Sequence, residues 1–411
     1  MIHRYGPGKE TLPRVLHISV ARYSSELPKT GEPLPFLVSI HEEGTGVTWQ
    51  QNVTIDQETE RFFLDSTQDL YLWSLNAALT PKTADERIRQ LGKKMYESFI
   101  GPQGKEILAT IPPTAVLLNV DETILNLPWE LIGAGGNAIA LQTPFGRLVT
   151  TRTVPRQGRD PENEDNVIRI LAVANPTLDL AAGEREIAAL RTLEGDHYSY
   201  RIEVKVLTQK KATRVAFAEA LATDAYDIIH FSGHGSFDPS APEMSAIRFS
   251  DGLLSADEVL GLEWKGGPPT LVFNSSCESG RAAGGRRLAT GESQSNGLAA
   301  AFITAGVSAY AGYFWPVTDT GAGLFTEAFY RNLFIREARL EEAPKMLAYM
   351  EKVMKVEKDF YDIVGVRVYA EILGWYRKRL KDPYTLVGLI DGQLAGFANG
   401  RLFNEDINIS L

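Results

Sequence analysis

The sequence predicts an α/β fold in which a doubly wound, mostly parallel sheet is flanked by helices. From residue 167 onwards, strand and helix patterns alternate over five units, which is typical of such sheets. The first of these strands, Val167–Asn175, has the near-continuous apolar run of a strand buried on both faces. Two later strands end in turns rich in glycine and serine, at His234 and at Cys277. In open sheets of this kind, functional residues collect at the carboxyl ends of the strands.

The length of the chain predicts two domains or one large compound domain, because a single small core cannot bury the surface of 411 residues. Segment 157–166 is charged and rich in turn-forming residues, which makes it the best candidate for a linker. We therefore expect a first domain over residues 1–157 and a second domain over residues 158–411.

Strand and helix patterns are mixed in the first domain. Strands are predicted at Val15–Val20, Pro35–Ile40, Ala115–Val120 and Leu148–Thr153. Ala84–Ile100 has apolar residues at helical spacing and ends before a Gly-Pro pair. Leu127–Ile132 is predicted as a short helix with a proline in its first turn.

The second domain alternates strands with helices and then becomes helical. After Val167–Asn175, we predict a helix at Gly183–Leu193, a strand at Ile202–Leu207, a helix at Ala212–Leu221, a strand from Asp227, a short helix at Glu258–Leu262 and a strand from Thr270. Helices are also predicted at Phe325–Phe334 and Leu340–Arg379, before a final strand at Pro383–Ile390.

One segment, between Glu292 and Asp319, has no charged side chain and is nominally long enough to span a bilayer. Its polar residues and the breakers Gly306 and Pro316 favour another interpretation. We expect a packed helix, Gly297–Thr304, followed by a buried strand, Val307–Tyr313. No membrane association is therefore expected.

Net charge and cysteine content indicate which ligands and which cellular compartment to expect. The formal net charge of -10 argues against nucleic acid as a direct ligand, because binding phosphates needs a basic face. The single cysteine excludes an intramolecular disulfide and suits a reducing cytoplasm. The first residues, Met1–Gly8, have no apolar core typical of a signal peptide, so we expect a cytoplasmic protein.

The single thiol and one histidine follow two successive predicted strands. Cys277 comes after Thr270–Asn274, and His234 lies between two glycines after the preceding strand. A thiol and an imidazole at such strand ends are the groups that a cysteine-nucleophile enzyme needs. The backbone N–H groups of Gly235 and Cys277 are candidates for an oxyanion hole. Alternatively, Cys277 is a small buried hydrophobe and His234 a structural residue of a tight turn.

The sequence does not predict a metal site or a cofactor. His230 lies four residues before His234, but that spacing on a strand does not build a metal site, and no second cysteine is present. We predict that His230 is a core residue whose ring has hydrogen-bond partners. A Gly-rich phosphate-binding loop is not found in the sequence.

Several of these segments resemble the CHAT family of caspase-like peptidases, which belongs to clan CD with caspases, gingipains and separase. The main resemblance is Asp227–Gly235 followed by Val272–Gly280. Three further segments agree in order: Leu127–Ile132, Ile170–Pro176 with Glu184 and Glu186, and Phe314–Asp319. The resemblance covers about residues 110–335 and, more weakly, the rest of the chain.

The resemblance implies a caspase-hemoglobinase-like fold and a cysteine endopeptidase with a His234–Cys277 dyad that works without a metal. Residues 158–411 would form the active protease domain with C-terminal helices. Residues 1–157 would form a pseudo-caspase domain packed against it. That half contains no cysteine, so it has no second dyad.

The resemblance also suggests how a substrate is selected and how the protein is processed. Asp319 occupies the position of an acid that lines the S1 pocket for a basic residue in relatives, and Trp315 belongs to the same segment. Either Thr318 or Asp319 could instead cap the helix that follows. Arg286 and Arg287 lie in a Gly- and Arg-rich loop where relatives carry an activation loop. That loop is either a site of autoprocessing or a solvated loop with stray charges.

Control by a partner is expected because a cytoplasmic protease cannot be active at all times. The family analogy suggests a protein sensor or activator that switches on cleavage of a partner protein in a bacterial antiviral defence or cell-death pathway. Two alternatives remain open, a catalytically silent scaffold module and a thiol acyltransferase. The presence of both dyad members argues against the first, and the lack of a cofactor motif argues against the second.

Overall fold

The computed structural model describes residues 14–22, 32–76, 81–110, 113, 115–150, 167–196, 201–283 and 297–333, with strand segments 336–337, 385–390, 393–403 and 406–410. Three predictions fall outside these described residues: the linker at 157–166, the processing residues Arg286 and Arg287, and the helix at Leu340–Arg379.

The described elements alternate between strands and helices along most of the chain. The strands are β1 (Val15–Arg22), β2 (Leu34–Glu42), β3 (Thr48–Ile55), β4 (Ala115–Asp121), β5 (Phe145–Thr150), β6 (Val167–Ala174), β7 (Gly195–Asp196), β8 (Arg201–Thr208), β9 (Ile228–Ser232), β10 (Gly235–Ser236), β11 (Ala246–Phe249), β12 (Gly252–Ser255), β13 (Leu271–Asn274), β14 (Ala309–Gly312), β15 (Arg336–Glu337), β16 (Thr385–Ile390), β17 (Gln393–Phe403) and β18 (Asp406–Ser410). The α-helices are α1 (Gln57–Asn76), α2 (Pro81–Phe99), α3 (Gly101–Thr110), α4 (Ala181–Arg191), α5 (Arg214–Thr223), α6 (Ala256–Leu260), α7 (Leu298–Thr304) and α8 (Asp319–Leu333).

The N-terminal sheet has the strand order β3-β2-β1-β4-β5. Its centre, β1, is antiparallel to β2 and parallel to β4, so that Ile18 lies opposite Ile40 and Leu118. Alternate residues of β1, including Leu16 and Val20, are buried in one hydrophobic cluster with residues of α1 and α2. This period-two burial is the pattern expected of a sheet covered by helices on one face.

Residue Trp129 anchors a 3-10 turn, Trp129–Leu131, at the predicted short helix. Its side chain is fully buried, and the indole N–H donates to the carbonyl oxygen of Ile124 at 2.8 Å. Gly92 of α2 permits the close approach of this turn, because a Cβ there would lie 2.0 Å from the carbonyl oxygen of Leu131. The turn therefore packs directly on the helix backbone.

The chain forms two compact units. The first comprises Met1–Gly158, His234–Glu263 and Thr270–Val317, and the second comprises Arg159–Gly233, Trp264–Pro269 and Thr318–Leu411. The domain limits expected from the sequence, 1–157 and 158–411, stay a prediction.

In the second unit, β6 lies between β8 and β9 and is parallel to both. Ala174 pairs with Thr208 on one side and with Ser232 on the other, so the three strands end at the same edge. The side chains of Ile170–Ala174 are completely buried. The expected parallel sheet with helices at its sides is confirmed, and the continuous apolar run reflects burial on both faces. The identity of the first domain as a pseudo-caspase stays a prediction.

In the first unit, the segments after His234 form an antiparallel ribbon and a parallel strand pair. The ribbon has the order β10-β11-β12, and α6 follows it through a capping box between Ser255 and Glu258. β13 pairs with β14 in parallel register, with Asn274 opposite Gly312.

Some predicted elements differ from the structure. The strand expected at Val307–Tyr313 is shorter, and it is exposed or half-buried rather than buried, because among the described strands β14 pairs with β13 on one side only. The elements that were not predicted are α1, α3, β3, β7, β10, β11, β12, β15, β17 and β18. The last two belong to an antiparallel sheet of order β15-β16-β17-β18 in the second unit.

No helix in the described part of the chain is both long enough and apolar enough to cross a membrane.

Candidate active site

Cys277 lies on a turn that begins where β13 ends. Beneath it, Asn274 Oδ1 accepts hydrogen bonds from the backbone N–H of Ser276 at 3.2 Å and from its hydroxyl at 2.6 Å. The Ser279 hydroxyl donates to the carbonyl oxygen of Asn274 at 2.8 Å and accepts from the N–H of Tyr313 at 3.1 Å. These buried bonds tie the turn to the end of its own strand and to the chain beyond β14.

Cys277 is half-buried. Cys277 Sγ lies 3.9 Å from the carbonyl oxygen of Val317, which is a long S–H···O contact. The next residue, Glu278, has a φ of 57°, in the left-handed region that residues with a Cβ seldom adopt. The backbone therefore turns sharply directly after the thiol.

His234 lies on a half-buried turn between β9 and β10. Its carbonyl oxygen accepts from the N–H of Arg248 at 2.9 Å, and Gly235 pairs with Ile247 of β11. The ribbon therefore holds the backbone on the C-terminal side of the histidine.

The turn of His234 and the turn of Cys277 are in direct contact. A Cβ built on Gly235 would lie 2.5 Å from Ser276 Oγ and 2.9 Å from the carbonyl oxygen of Cys277. Such distances are shorter than any ordinary contact, so only a glycine fits at this position. The two candidate oxyanion donors, Gly235 and Cys277, both belong to this contact.

The residues expected in the S1 pocket occupy different environments. Trp315 is half-buried, packs edge-on against Phe314 at 4.9 Å between ring centroids and contacts the N-terminal hydrophobic cluster. Asp319 is exposed as the first residue of α8. The Thr318 hydroxyl accepts from the N–H of Gly321 at 3.2 Å, so Thr318 rather than Asp319 makes the cap hydrogen bond.

His230 is completely buried, which confirms the prediction of a core histidine. Its Nδ1 lies 3.2 Å from the hydroxyl of Tyr330, and its Nε2 lies 3.2 Å from a carboxylate oxygen of Glu186. The carboxylate of Glu186 also accepts hydrogen bonds from Ser232 at 2.9 Å and Thr326 at 2.8 Å.

Burial by itself raises the pKa of Glu186, but the hydrogen bonds from His230, Thr326 and Ser232 outweigh it and lower the pKa below the ordinary value. Sequence reasoning noted Glu186 only as part of a resemblance and missed this network. The available signal was a charged residue on the face of α4 that also carries Ile187 and Leu190. Such a residue needs buried partners.

Among the described residues, no group of three or more His, Cys, Asp or Glu side chains is placed to hold a metal ion.

Comparison with known proteins identifies the family. Residues 89–344, more than half of the chain, match the CHAT domain. A search of curated proteins found no match. The matched range contains both strand-end turns described above, the buried parallel strand β6 and the segment from Phe314 to Asp319. The chain therefore belongs to the CHAT domain family of caspase-like peptidases.

Proposed function

We propose that the protein is a cysteine endopeptidase that cleaves a partner protein with His234 and Cys277. The observation that carries this proposal is the contact of Gly235 with the side chain of Ser276 and the carbonyl oxygen of Cys277, since it brings the turns of the imidazole and the thiol together. Membership of a peptidase family supports the same reaction.

The reaction follows from the chemistry of these groups. His234 takes the thiol proton, and the thiolate attacks the carbonyl carbon of the scissile bond. The N–H groups of Gly235 and Cys277 donate to the oxyanion that forms. The C–N bond then breaks, and His234 gives its proton to the leaving amine. Water, deprotonated by His234, hydrolyses the acyl-enzyme and releases the second product with a free thiol.

A preference for arginine or lysine before the cleaved bond is part of the proposal. It rests on Asp319, which the family resemblance assigns to the S1 pocket together with Trp315. A carboxylate attracts the cationic side chain of an arginine or lysine. The exposure of Asp319 in this structure leaves its carboxylate accessible to solvent and to a ligand.

Regulation completes the proposal. A protein sensor or activator would switch on cleavage of a partner in a bacterial defence or cell-death pathway, and Arg286 or Arg287 would be the site of processing. These roles rest on the family analogy alone.

The dyad is tested by co-expressing the protein with the products of neighbouring genes and profiling cleavage across the proteome. Cys277→Ala and His234→Ala are each expected to lower cleavage by roughly 10³-fold or more, because the nucleophile or its base is lost. His17→Ala, which removes a half-exposed histidine of β1, is the matched control and should cleave like the wild type. Unchanged cleavage by Cys277→Ala would refute the proposal, and partner binding without cleavage by the wild type would indicate a silent scaffold.

The wild-type protein and an Asp319→Asn variant test the proposed specificity. In a peptide library, Arg or Lys should precede the cleaved bond, and Asp319→Asn should weaken that preference. Best cleavage after Leu or Asp would remove the assignment of Asp319.

Intact mass spectrometry should show a product cut after Arg286 or Arg287 in the wild type but not in Cys277→Ala, and identical single species would argue against processing.

A further inference from the structure

The residue after the nucleophile has a backbone conformation that needs support. Glu278 has a φ of 57°, whereas glycine, asparagine and aspartate are the residues that adopt the left-handed region readily. A glutamate stays there only when the surroundings hold it. The contacts of its side chain therefore help to determine where the neighbouring thiol lies.

The side chain of Glu278 is held by two partners. Arg281 Nη1 donates to Glu278 Oε1 at 2.7 Å, and the two side chains are only 16% and 12% exposed. From α1, the hydroxyl of Tyr71 donates to Glu278 Oε2 at 3.5 Å. Because the pair is largely shielded from water, its electrostatic attraction is stronger than that of a surface ion pair.

Arg281 also contacts two aromatic rings. Its guanidinium carbon is 4.5 Å from the ring centroid of Tyr71 and 5.1 Å from that of Phe237, which follows His234 by three residues. Both distances are within the range of a cation–π interaction. One side chain therefore connects α1, the turn of the nucleophile and the loop of the histidine.

Two further contacts support the same arrangement. Ala282 belongs to the hydrophobic cluster of the N-terminal sheet. Gly297 lies so close that a Cβ on it would be 2.7 Å from the carbonyl oxygen of Arg281. Burial, and then the charge of Glu278, raise the pKa of Tyr71, so its hydroxyl stays a neutral donor at physiological pH.

We propose that Tyr71, Glu278 and Arg281 are positioning residues through which the N-terminal half holds the turn of Cys277. The inference rests on the proposed role of Cys277 as nucleophile. A ligand that binds the N-terminal half would then affect the thiol through these contacts, since a movement of α1 would release Arg281 and then Glu278.

The test measures how fast iodoacetamide alkylates Cys277 between pH 5 and pH 10, read by intact mass spectrometry. Cys277 is the only cysteine, so the signal comes from one site and needs no substrate. Among the described residues, the charged or titratable groups that these contacts place near the turn include His234, Glu278, Arg281 and Tyr71. Removing one member of the Glu278–Arg281 pair leaves the other charge uncompensated near the thiol.

Opposite shifts are therefore expected for the two members of the pair. Arg281→Gln should raise the pH midpoint of alkylation by about 0.5 unit, because the remaining carboxylate disfavours a thiolate. Glu278→Gln should lower the midpoint by a similar amount, and the double variant should return it towards the wild type. Arg191→Gln, which breaks the exposed pair between Arg191 at the end of α4 and Glu194, is the control and should not shift it. Should Arg281→Gln not fold, Arg281→Lys keeps the charge and should give a smaller upward shift.

The role of α1 is tested at Tyr71. Tyr71→Leu removes the ring over Arg281 and should shift the midpoint in the same direction as Arg281→Gln, but by less. Tyr71→Phe keeps the ring and should stay close to the wild type. Equal midpoints in Tyr71→Leu, Arg281→Gln, Glu278→Gln and the wild type would overturn the inference. Loss of cleavage only in the dyad variants, with these midpoints unshifted, would leave the proposed function intact while removing the role of the three residues.

Discussion

At the scale of single residues, the missing side chain of Gly235 allows the two candidate catalytic turns to touch. Ser276 Oγ, which a Cβ on Gly235 would approach to 2.5 Å, is itself held by Asn274 at 2.6 Å. It therefore cannot rotate away without losing a buried hydrogen bond. The carbonyl oxygen of Cys277, at 2.9 Å, is backbone and has still less freedom.

We predict that Gly235→Ala separates the two turns. The protein should lose about 1–3 kcal/mol of unfolding free energy through overpacking, and cleavage should fall with it. Urea unfolding and the cleavage assay measure the two effects. Gly46→Ala is the control, because its Cβ would meet nothing within 4 Å. A Gly235→Ala protein as stable and active as Gly46→Ala would contradict the prediction.

At the scale of secondary-structure elements, the carboxylate of Glu186 joins three of them. Glu186 lies on α4, its partners His230 and Ser232 lie on β9, and Thr326 lies on α8. β9 ends two residues before His234. The network therefore holds the strand that leads into the turn of the histidine.

This network predicts how stability depends on pH. Because the folded pKa of Glu186 lies below its unfolded value near 4.3, its contribution is present above that pH and is lost as pH falls through the folded pKa. Glu186→Gln should be less stable at pH 7 by about 1–3 kcal/mol. It should also lose less further stability than the wild type between pH 5 and pH 3.

Urea unfolding at pH 7, 5, 4 and 3 measures both effects. Glu184→Gln on the same helix is the matched control, since Glu184 is exposed and accepts a hydrogen bond only from Gln209 in the described residues. Parallel pH profiles for wild type and Glu186→Gln would show that folding does not lower the pKa of Glu186.

At the scale of the whole molecule, the N-terminal half shares one compact unit with the segments that carry His234 and Cys277. Ala282 belongs to the hydrophobic cluster of the N-terminal sheet, and Trp315 packs against it. Removing this apolar surface from water stabilises the assembly of these segments.

We predict that cutting the chain in the linker predicted at 157–166 leaves the two pieces associated. A site for a specific protease inserted there would allow the cut, and size-exclusion chromatography would measure whether the pieces elute together. Ala282→Asp places a charge in the cluster and should weaken the association, because burying an unpaired carboxylate is unfavourable. Pieces that separate without denaturant in the wild type would contradict the prediction.

The elements that sequence reasoning found have a clear pattern of apolar residues along the chain, and the elements it missed do not. β6 was predicted because its apolar run records burial on both faces. α1 was missed because its apolar residues do not all lie on one face of the helix. Phe63 and Leu70 are buried, whereas Phe62, Leu64 and Leu72 are exposed. β3 was missed because only Ile55 at its end is buried.

The sequence by itself determined the parallel sheet, the candidate thiol and imidazole, and the family. These depend on local periods, on turn residues at strand ends and on the order of short segments. Only the tertiary structure decided that Gly235 touches the backbone of Cys277 and that Tyr71 reaches Glu278 across 207 residues of sequence. The physical reason is that such contacts arise from the packing of distant elements, which no local pattern records.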